Sequence, residues 1–563
     1  MELLEQHFDT AFSAPEGIKR LRELILTLAM QGKLVEQDPS NPPASQLLKA
    51  IEAKKKQLVK EGKIKASKPL PAINSSDVPY ELPEGWQWVR LGTIGNIFNG
   101  NSINASEKDA KFRGVEGTPY IATKDVGYGL DPLDYENGVF IPPSQQKFRV
   151  AHKGAVLLCA EGGSAGKKCG ITVRDIFFGN KLFANELFGS IPSQFMLYVY
   201  LSPVFRSAFE AAMTGIIGGV SIAKFVELPI PLPPLIQHRI VAKIDQLMTR
   251  CDELENLRSV QDEKRLAVHA AAIKKLLDAN RDGDFADAWW FVVRHFGELY
   301  SVKENVAELR KAILQFALRG KLSDQSDKDG SATDTLAKVA VERRCLKIHV
   351  QPNPIRDPKP LGYEIPGSWE WQCLGDLLVS GPTNGFSPRA VDYETPVRSL
   401  TLSATTSGAF KGEHSKFIAD EISPDSDLWL RDGDILVQRG NTLEYVGVPA
   451  VYRGEPNCYI YPDLMMKLRV SSELDTDYLY FAMSSEPGRN FLRERASGTS
   501  GTMPKINQQT LKSLPIPVPP IKEQRRIVTK LNRLINLCNA LNENIDAAAN
   551  KQTALLNAVM AQV

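Results

Sequence analysis

Long apolar runs are missing from this 563-residue sequence. None approaches the roughly 20 residues that a helix needs to span a bilayer, so no membrane partner is expected. Cysteine is sparse and scattered, at Cys159, Cys169, Cys251, Cys345, Cys373, Cys458 and Cys538, with no CxxC pair. That argues against a disulfide framework and a zinc ribbon. The seven histidines are dispersed, with neither an HExxH motif nor a Cys/His ligand cluster, so no metal site is expected. No Ser/His/Asp or paired-carboxylate constellation stands out, and no catalytic residue is assigned. An excess of one charge is lacking too. Lys and Arg number 68 against 66 Asp and Glu, a net +2, so any surface for a polyanion must be local. The opening MELLEQHFDTAF has acids where a secretory signal has a basic region, which points to a reducing, cytoplasmic compartment.

What is present is a duplication. At this length the chain should hold two or more cores. IKRLRELILTLAMQGKL (Ile18–Leu34) returns as VAELRKAILQFALRGKL (Val306–Leu322), with an offset of 288. LPEGWQWVRLG (Leu82–Gly92) returns as IPGSWEWQCLG (Ile365–Gly375) at 283. LPIPLPPLIQHRIVAKI (Leu228–Ile244) returns as LPIPVPPIKEQRRIVTKL (Leu514–Leu531), at 286 through the prolines and 287 beyond them. A unit of that size is a whole domain with its connector, not a solenoid repeat.

Each copy has the same grammar. A helix ends in Gly-Lys-Leu, with Gly32 as its C-cap glycine. A Pro- and Lys-rich linker follows, Lys54–Leu82 and then Pro352–Pro366. The Trp-x-Trp element opens a region of short strands, such as Ala155–Cys159 and Asp434–Gln438. Trp86, Trp88, Trp369 and Trp371 alternate as strand residues do, so one of each pair should be core. After the proline run comes a long helix. Ile240, Ile244, Leu247, Cys251 and Leu254 fall at 4-3-4-3 spacing, as do Ile527, Leu531, Leu534, Cys538, Leu541 and Ile545. Such a seam wants another helix, and the two seams are natural partners for each other; packing on their own domains is the alternative. Two unlike domains spaced by helices make a ruler. Roughly 23 helical residues span the ~34 Å of a DNA turn, which predicts a bipartite, asymmetric DNA site.

These motifs, GIKRLRELILTLAMQGKLV, LPEGWQWVRLG, PIPLPP…RIVAKI and PIPVPPIKEQRRIVTKL, resemble type I restriction-modification specificity subunits, in order and over essentially the whole chain. The resemblance implies an α+β fold: two pseudo-repeated mixed target-recognition domains separated by long helices that form an antiparallel coiled coil. The expected divisions are 1–79, a helical region and basic linker; 80–234, the first recognition domain; 235–322, a central helical region; 323–360, a linker; 361–519, the second recognition domain; and 520–563, a helix pairing with the central one. It implies a non-catalytic subunit that binds double-stranded DNA, two methyltransferase subunits and two restriction/translocase subunits. S-adenosylmethionine, ATP and Mg would sit on those partners and no cofactor on this chain. One adenine in each half-site would be methylated.

Local signals carry two readings each. Asn41-Pro42-Pro43-Ala44 is like the Asn-Pro-Pro-aromatic motif of amino-methyltransferases, but alanine replaces the stacking ring and a proline turn is the better reading. Gly162–Lys168 has the letters of a phosphate loop, one residue short and with Lys168 in the hydroxyl position. It reads as a glycine-rich loop placing Lys167 and Lys168 near DNA phosphates, or as a strand-end turn. Its counterpart, Gln438–Thr442, offers Arg439 and Asn441, which suit guanine and adenine. A second pair of loops, Thr214–Ser221 and Ser497–Lys505, lets backbone approach a phosphate. Lys124, Lys167, Lys168, Ser221, Lys224, Arg398, Arg439, Asn441, Thr499, Thr502 and Lys505 are the candidate DNA contacts. Lys49–Lys68, with eight lysines against two glutamates, is a phosphate track or, more simply, a solvated helix face. The rival functions are an autonomous DNA methyltransferase or nuclease, and a scaffold that reads no sequence.

Overall fold

The computed structural model describes residues 9–10, 12–142, 145, 147–215, 218–279, 282–348, 355, 357–498 and 503–561. Two compact units divide the chain: Met1–Val260 with Ala548–Val563, and Gln261–Ala547. Both changes of unit fall inside long helices, Gln237–Asp278 and Ile521–Met560. They fall at equivalent places, since Gln261 and Ala548 are 287 apart.

In the first unit, Gln87–Arg90 pairs antiparallel with Pro229–Leu232, closing the recognition domain where it begins and ends. Prolines alternate in that second strand, so Ile230 and Leu232 keep their N–H groups for the ladder while their side chains are buried. Beyond it lies a four-stranded antiparallel sheet in the order Gly95–Asn99, Leu182–Leu187, Val156–Cys159, Cys169–Ile171. Val156–Cys159 is buried throughout, as a strand covered on both faces should be. Helices Ser193–Leu201 and Pro203–Ala212 cover it with Phe195, Tyr198, Tyr200, Phe205 and Phe209. A second sheet runs Phe140–Ile141, Thr118–Ile121, Ile176–Phe178, Val150–Ala151.

The second unit repeats the frame. Glu370–Cys373 pairs with Pro515–Val518, and the main sheet runs Leu378–Asn384, Met465–Val470, Ile435–Gln438, Pro449–Val451. The second sheet diverges, running Ala390–Val391, Ser415–Ile418, Arg398–Leu400, Tyr459–Ile460. Both copies keep one parallel pair there, Tyr120 on Phe177 and Arg398 on Tyr459. Frame and sheet order are thus duplicated, and the outer sheet is where the copies part. Trp86 and Trp369 are the buried members of their Trp-x-Trp pairs.

The helices correct the linker reading. Lys54–Lys60, expected as linker, belongs to a helix Ala44–Lys60, and the supposed linker 323–360 carries its duplicate, Ala332–Cys345. The seams also pack within their own units. Ile240, Ile244 and Cys251 are buried among Ile18 and Ile25, with Leu247 and Leu21 packed beside them; Leu254 is 45% exposed. Ile527, Leu531 and Cys538 are buried with Ile313 in the second unit, and Leu309, Leu534, Leu541 and Ile545 pack against them. Each seam is filled by the short helix of its own unit, Gly17–Met30 or Lys303–Leu318, whose apolar stripe repeats with it. Polar latches repeat as well. Arg22 pairs with Asp252 and Glu255 at 2.7 Å, and Arg310 hydrogen-bonds Asn539, the equivalent of Asp252. Far ends of the long helices complete each bundle: Leu556 and Val559 in the first unit, Ala272, Ile273 and Leu276 in the second. One long helix thus runs from the first unit into the second and the other from the second into the first.

The one-residue slip after the prolines has a structural meaning. In the first unit Trp86 Nε1 donates to Gln37 Oε1 at 2.9 Å. In the second, buried Glu523 stands between the equivalent pair. Its carboxylate accepts from Trp369 Nε1 at 2.9 Å, and from Ser323 Oγ and Gln325 Nε2 at 2.7 Å each. Glu523→Ala strands three donors and should destabilise this unit by about 3 kcal/mol, while Glu523→Gln should lose about 1 kcal/mol. Urea melts of the full chain check the ranking.

A second difference is titratable. Phe12 and Leu556 pack together in the first unit; their equivalents are Tyr300 and His269, fully buried and hydrogen-bonded at 3.1 Å. Burial holds the imidazole below its ordinary value, with Glu308 opposing weakly. The folded chain thus keeps His269 neutral where the unfolded chain takes up a proton. Stability contributed above about pH 6.5 is lost as pH falls toward the depressed folded value. His269→Leu with Tyr300→Phe, which copies the first unit, should flatten the fall in Tm between pH 7 and pH 5.

Candidate nucleic-acid interface

A cleft in each recognition domain is built on the same backbone bonds. In the first, the strand Val156–Cys159 runs into Ala160, whose N–H donates to Lys181 O at 2.9 Å and whose carbonyl accepts from Val220 N at 3.0 Å. Glu161 bridges Gly219, and Gly219 bridges Thr214, so the two glycine-rich loops meet here. Ser221 Oγ then caps helix Ile222–Val226 by accepting from Lys224 N at 3.4 Å. Asn99 closes the far side from the end of its strand. The open cleft has a volume of about 780 Å³ and includes Asn180 and Phe183 among its lining.

In the second domain the strand Ile435–Gln438 runs into Arg439, whose N–H donates to Leu464 O at 2.8 Å and whose carbonyl accepts from Ile506 N at 2.9 Å. Gly440 bridges Lys505, and Lys505 bridges Ser497. Asn507 Oδ1 caps helix Gln508–Lys512 by accepting from Thr510 N at 2.7 Å. Asn384, opposite Met466 as Asn99 is opposite Phe183, closes the far side. This cleft measures about 390 Å³ and is lined by Asn384, Arg439, Asn507, Gln508, Gln509 and Lys512.

The frame is constant and the lining is not. Arg439 stands where the first domain has Ala160, Gly440 for Glu161, Asn507 for Ser221, Gln508 for Ile222 and Lys512 for Val226. Only the asparagine at the strand end is kept. A charged carboxylate and an apolar side chain in one cleft are replaced by cations and amides in the other.

The sequence-predicted residues divide accordingly. Ser221, Arg439 and Lys505 sit at or beside the clefts, and Lys224 is an exposed side chain on the capped helix. Lys124, Lys167 and Lys168 gather elsewhere in the first domain. Lys168 Nζ donates to Thr123 O at 3.3 Å and lies 5.0 Å over the Tyr128 ring, while Lys124 and Lys167 are exposed. Gly162–Lys168 is a turn between antiparallel strands, not the strand-to-helix loop of a nucleotide site. Asn441 is partly engaged, its Nδ2 donating to Gln438 Oε1 at 3.3 Å. Arg398 is not free. Its guanidinium lies 5.3 Å from the Phe417 ring and 5.6 Å from Tyr459, holding the outer sheet together. Thr499 and Thr502 lie outside the described residues. Sequence reasoning missed Asn99, Asn384, Glu161, Asn507, Gln508, Gln509 and Lys512. The capping residues Ser221 and Asn507, each just before a short helix, were the available signal.

Among the described residues no group of three or more His, Cys, Asp or Glu could hold a metal, and no helix is long and apolar enough to cross a membrane. Asn41–Pro43 leads into helix Ala44–Lys60, whose first residue, Ala44, is buried.

The chain is thus a doubled α+β protein whose copies share a frame and each carry a cleft with its own lining. The family model "Type I restriction modification DNA specificity domain" matches residues 83–261 and again 367–551, one match per copy. This chain belongs to the type I restriction-modification DNA specificity family. It is similar to the EcoAI specificity subunit of Escherichia coli, 30% identical over 96% of this chain and 93% of that one. It is 29% identical to the EcoEI specificity subunit, also from Escherichia coli, with the same coverage. Among solved structures, a chain from a type I R-M system superposes with a TM-score of 0.47 at 17% identity, covering 86% of this chain and 99% of that one.

Proposed function

We propose that this chain reads an asymmetric, bipartite DNA site, one half-site per recognition domain, with no chemistry of its own. The carrying observation is the pair of clefts, framed by the same hydrogen bonds and lined by different side chains. A fixed frame with a variable lining suits two readers of unlike sequences. The long helices set the spacer between the half-sites. Two methyltransferase subunits and two restriction/translocase subunits dock on the chain in the cytoplasm and carry S-adenosylmethionine, ATP and Mg. They would methylate one adenine per half-site.

Mapping methylated adenines in host DNA by single-molecule sequencing tests the reading. The expected motif has two different half-sites and an unread gap. A symmetric or continuous motif would refute it. Assayed alone with S-adenosylmethionine, the purified chain is expected to show no methyl transfer; turnover would make it an enzyme in its own right.

A further inference from the structure

We infer that the two clefts are the base-reading pockets of their domains, and that Arg439 selects a guanine in the second domain's half-site. This rests on the reading of the chain as a bipartite DNA reader and adds which residue reads what.

Arg439 is held loosely for an arginine at a strand end. Among the described residues its side chain makes one hydrogen bond, from Nη1 to Asp463 O at 3.3 Å, and pairs with no carboxylate. The remaining donors are left for the cleft. Lys512 in the same lining would suit a phosphate, but the amides beside it favour a base edge. Asn384, Gln508 and Gln509 line the same space and bring amide oxygens as well as amide N–H groups. A phosphate offers acceptors only, whereas a base pair offers both kinds of group in the major groove. Arginine meets guanine O6 and N7 with two parallel hydrogen bonds, and the amides suit a neighbouring adenine or cytosine.

The first domain supplies the internal control. Ala160 occupies the place of Arg439 on the same two backbone bonds, and Glu161 is the charged residue of that cleft's lining. A carboxylate accepts from the cytosine amino group and repels phosphate, so this pocket cannot be a duplicate phosphate clamp. The two clefts are alike in architecture and opposite in charge, as readers of different letters should be.

The test uses the full chain with its native partners, comparing the methylation motif of host DNA for wild type, Arg439→Ala and Arg439→Gln. Arg439→Ala should relax one position of one half-site, losing roughly 5- to 150-fold discrimination there. Arg439→Gln should move that position toward adenine. The other half-site and the gap should not change. An unaltered motif would overturn the inference. So would an equal loss at every sequence with a shallower salt dependence, the mark of a phosphate contact. If methylation disappears in both variants, selection of random duplexes by the purified complex decides: one relaxed position supports base reading, and uniform weakening overturns it. Variants that do not accumulate as folded protein would make Arg439 a structural residue and overturn it as well. A wild-type motif that is not bipartite would instead defeat the underlying reading, before any variant is compared.

Discussion

Replacing Gly92–Glu227 with the matching segment of a relative that reads another sequence is expected to change one half of the target and leave the other half and the gap intact. The cut points follow from the closing ladder. Gln87–Arg90 and Pro229–Leu232 pair register for register, and Leu91 N donates to Leu228 O at 2.9 Å, so the exchanged segment enters and leaves at one place. Arg90 stays with the host. It donates to the carbonyls of Pro71, Ala72 and Glu227 and pairs with Asp77, tying the ladder to the preceding linker. Each altered base pair costs about 1–3 kcal/mol, so two altered pairs lower affinity for the old target by roughly 30-fold to 25,000-fold. The methylation motif before and after the exchange is the measurement. A change in both half-sites would mean that neither domain reads independently.

How far the sequence announced all this depends on the element. The repeat was legible because its motifs are backbone-critical. Gly32 and Gly320 end equivalent helices with positive φ of 72° and 70°, which other residues adopt only with strain. Alternating prolines and the paired tryptophans likewise marked the closing ladders. The helix Ala44–Lys60 was hidden because only Ala44, Leu47 and Ile51 are buried in it, and its duplicate buries a threonine, Thr335, at the place of Leu47. So little apolar surface leaves the lysines to dominate the pattern, although Ser331 and Asp334 form a capping box at the duplicate's start. The seams show a different limit. A 4-3 spacing names an apolar face but not its partner, and one short helix with a matching stripe was available in each unit. The clefts were the least legible. Offsets between the copies drift from 283 at Gly95 and Leu378 to 279 at Val156 and Ile435 and 286 at Val220 and Ile506. Register shifts in Leu378–Asn384 blur the position of Asn384 further. Only the hydrogen bonds restore the correspondence.

Lengthening both long helices together is expected to lengthen the gap between half-sites without altering either half-site. The places for insertion are Val260/Gln261 and Ala547/Ala548, where both helices change unit at equivalent residues. Four residues in each add about 6 Å of helix, against 3.4 Å per base pair, and turn the chain by about 400°, close to one full rotation. The apolar faces on either side of each insertion therefore stay within about 40° of their former direction, so both bundles keep their packing. The seams favour this outcome, since Ile240, Ile244 and Cys251 are committed to the first unit and Ile527, Leu531 and Cys538 to the second. None of them has to find a new partner when the helix between is extended. A motif whose gap grows by one or two base pairs is the expected result. Insertion in one helix alone should instead abolish methylation, because the far ends that complete the bundles, Leu556 with Val559 and Ala272 with Leu276, would fall out of register with Leu24 and Ala312. A gap that ignores paired insertions would separate the helices from the measurement of the DNA and leave the spacing to the recognition domains themselves.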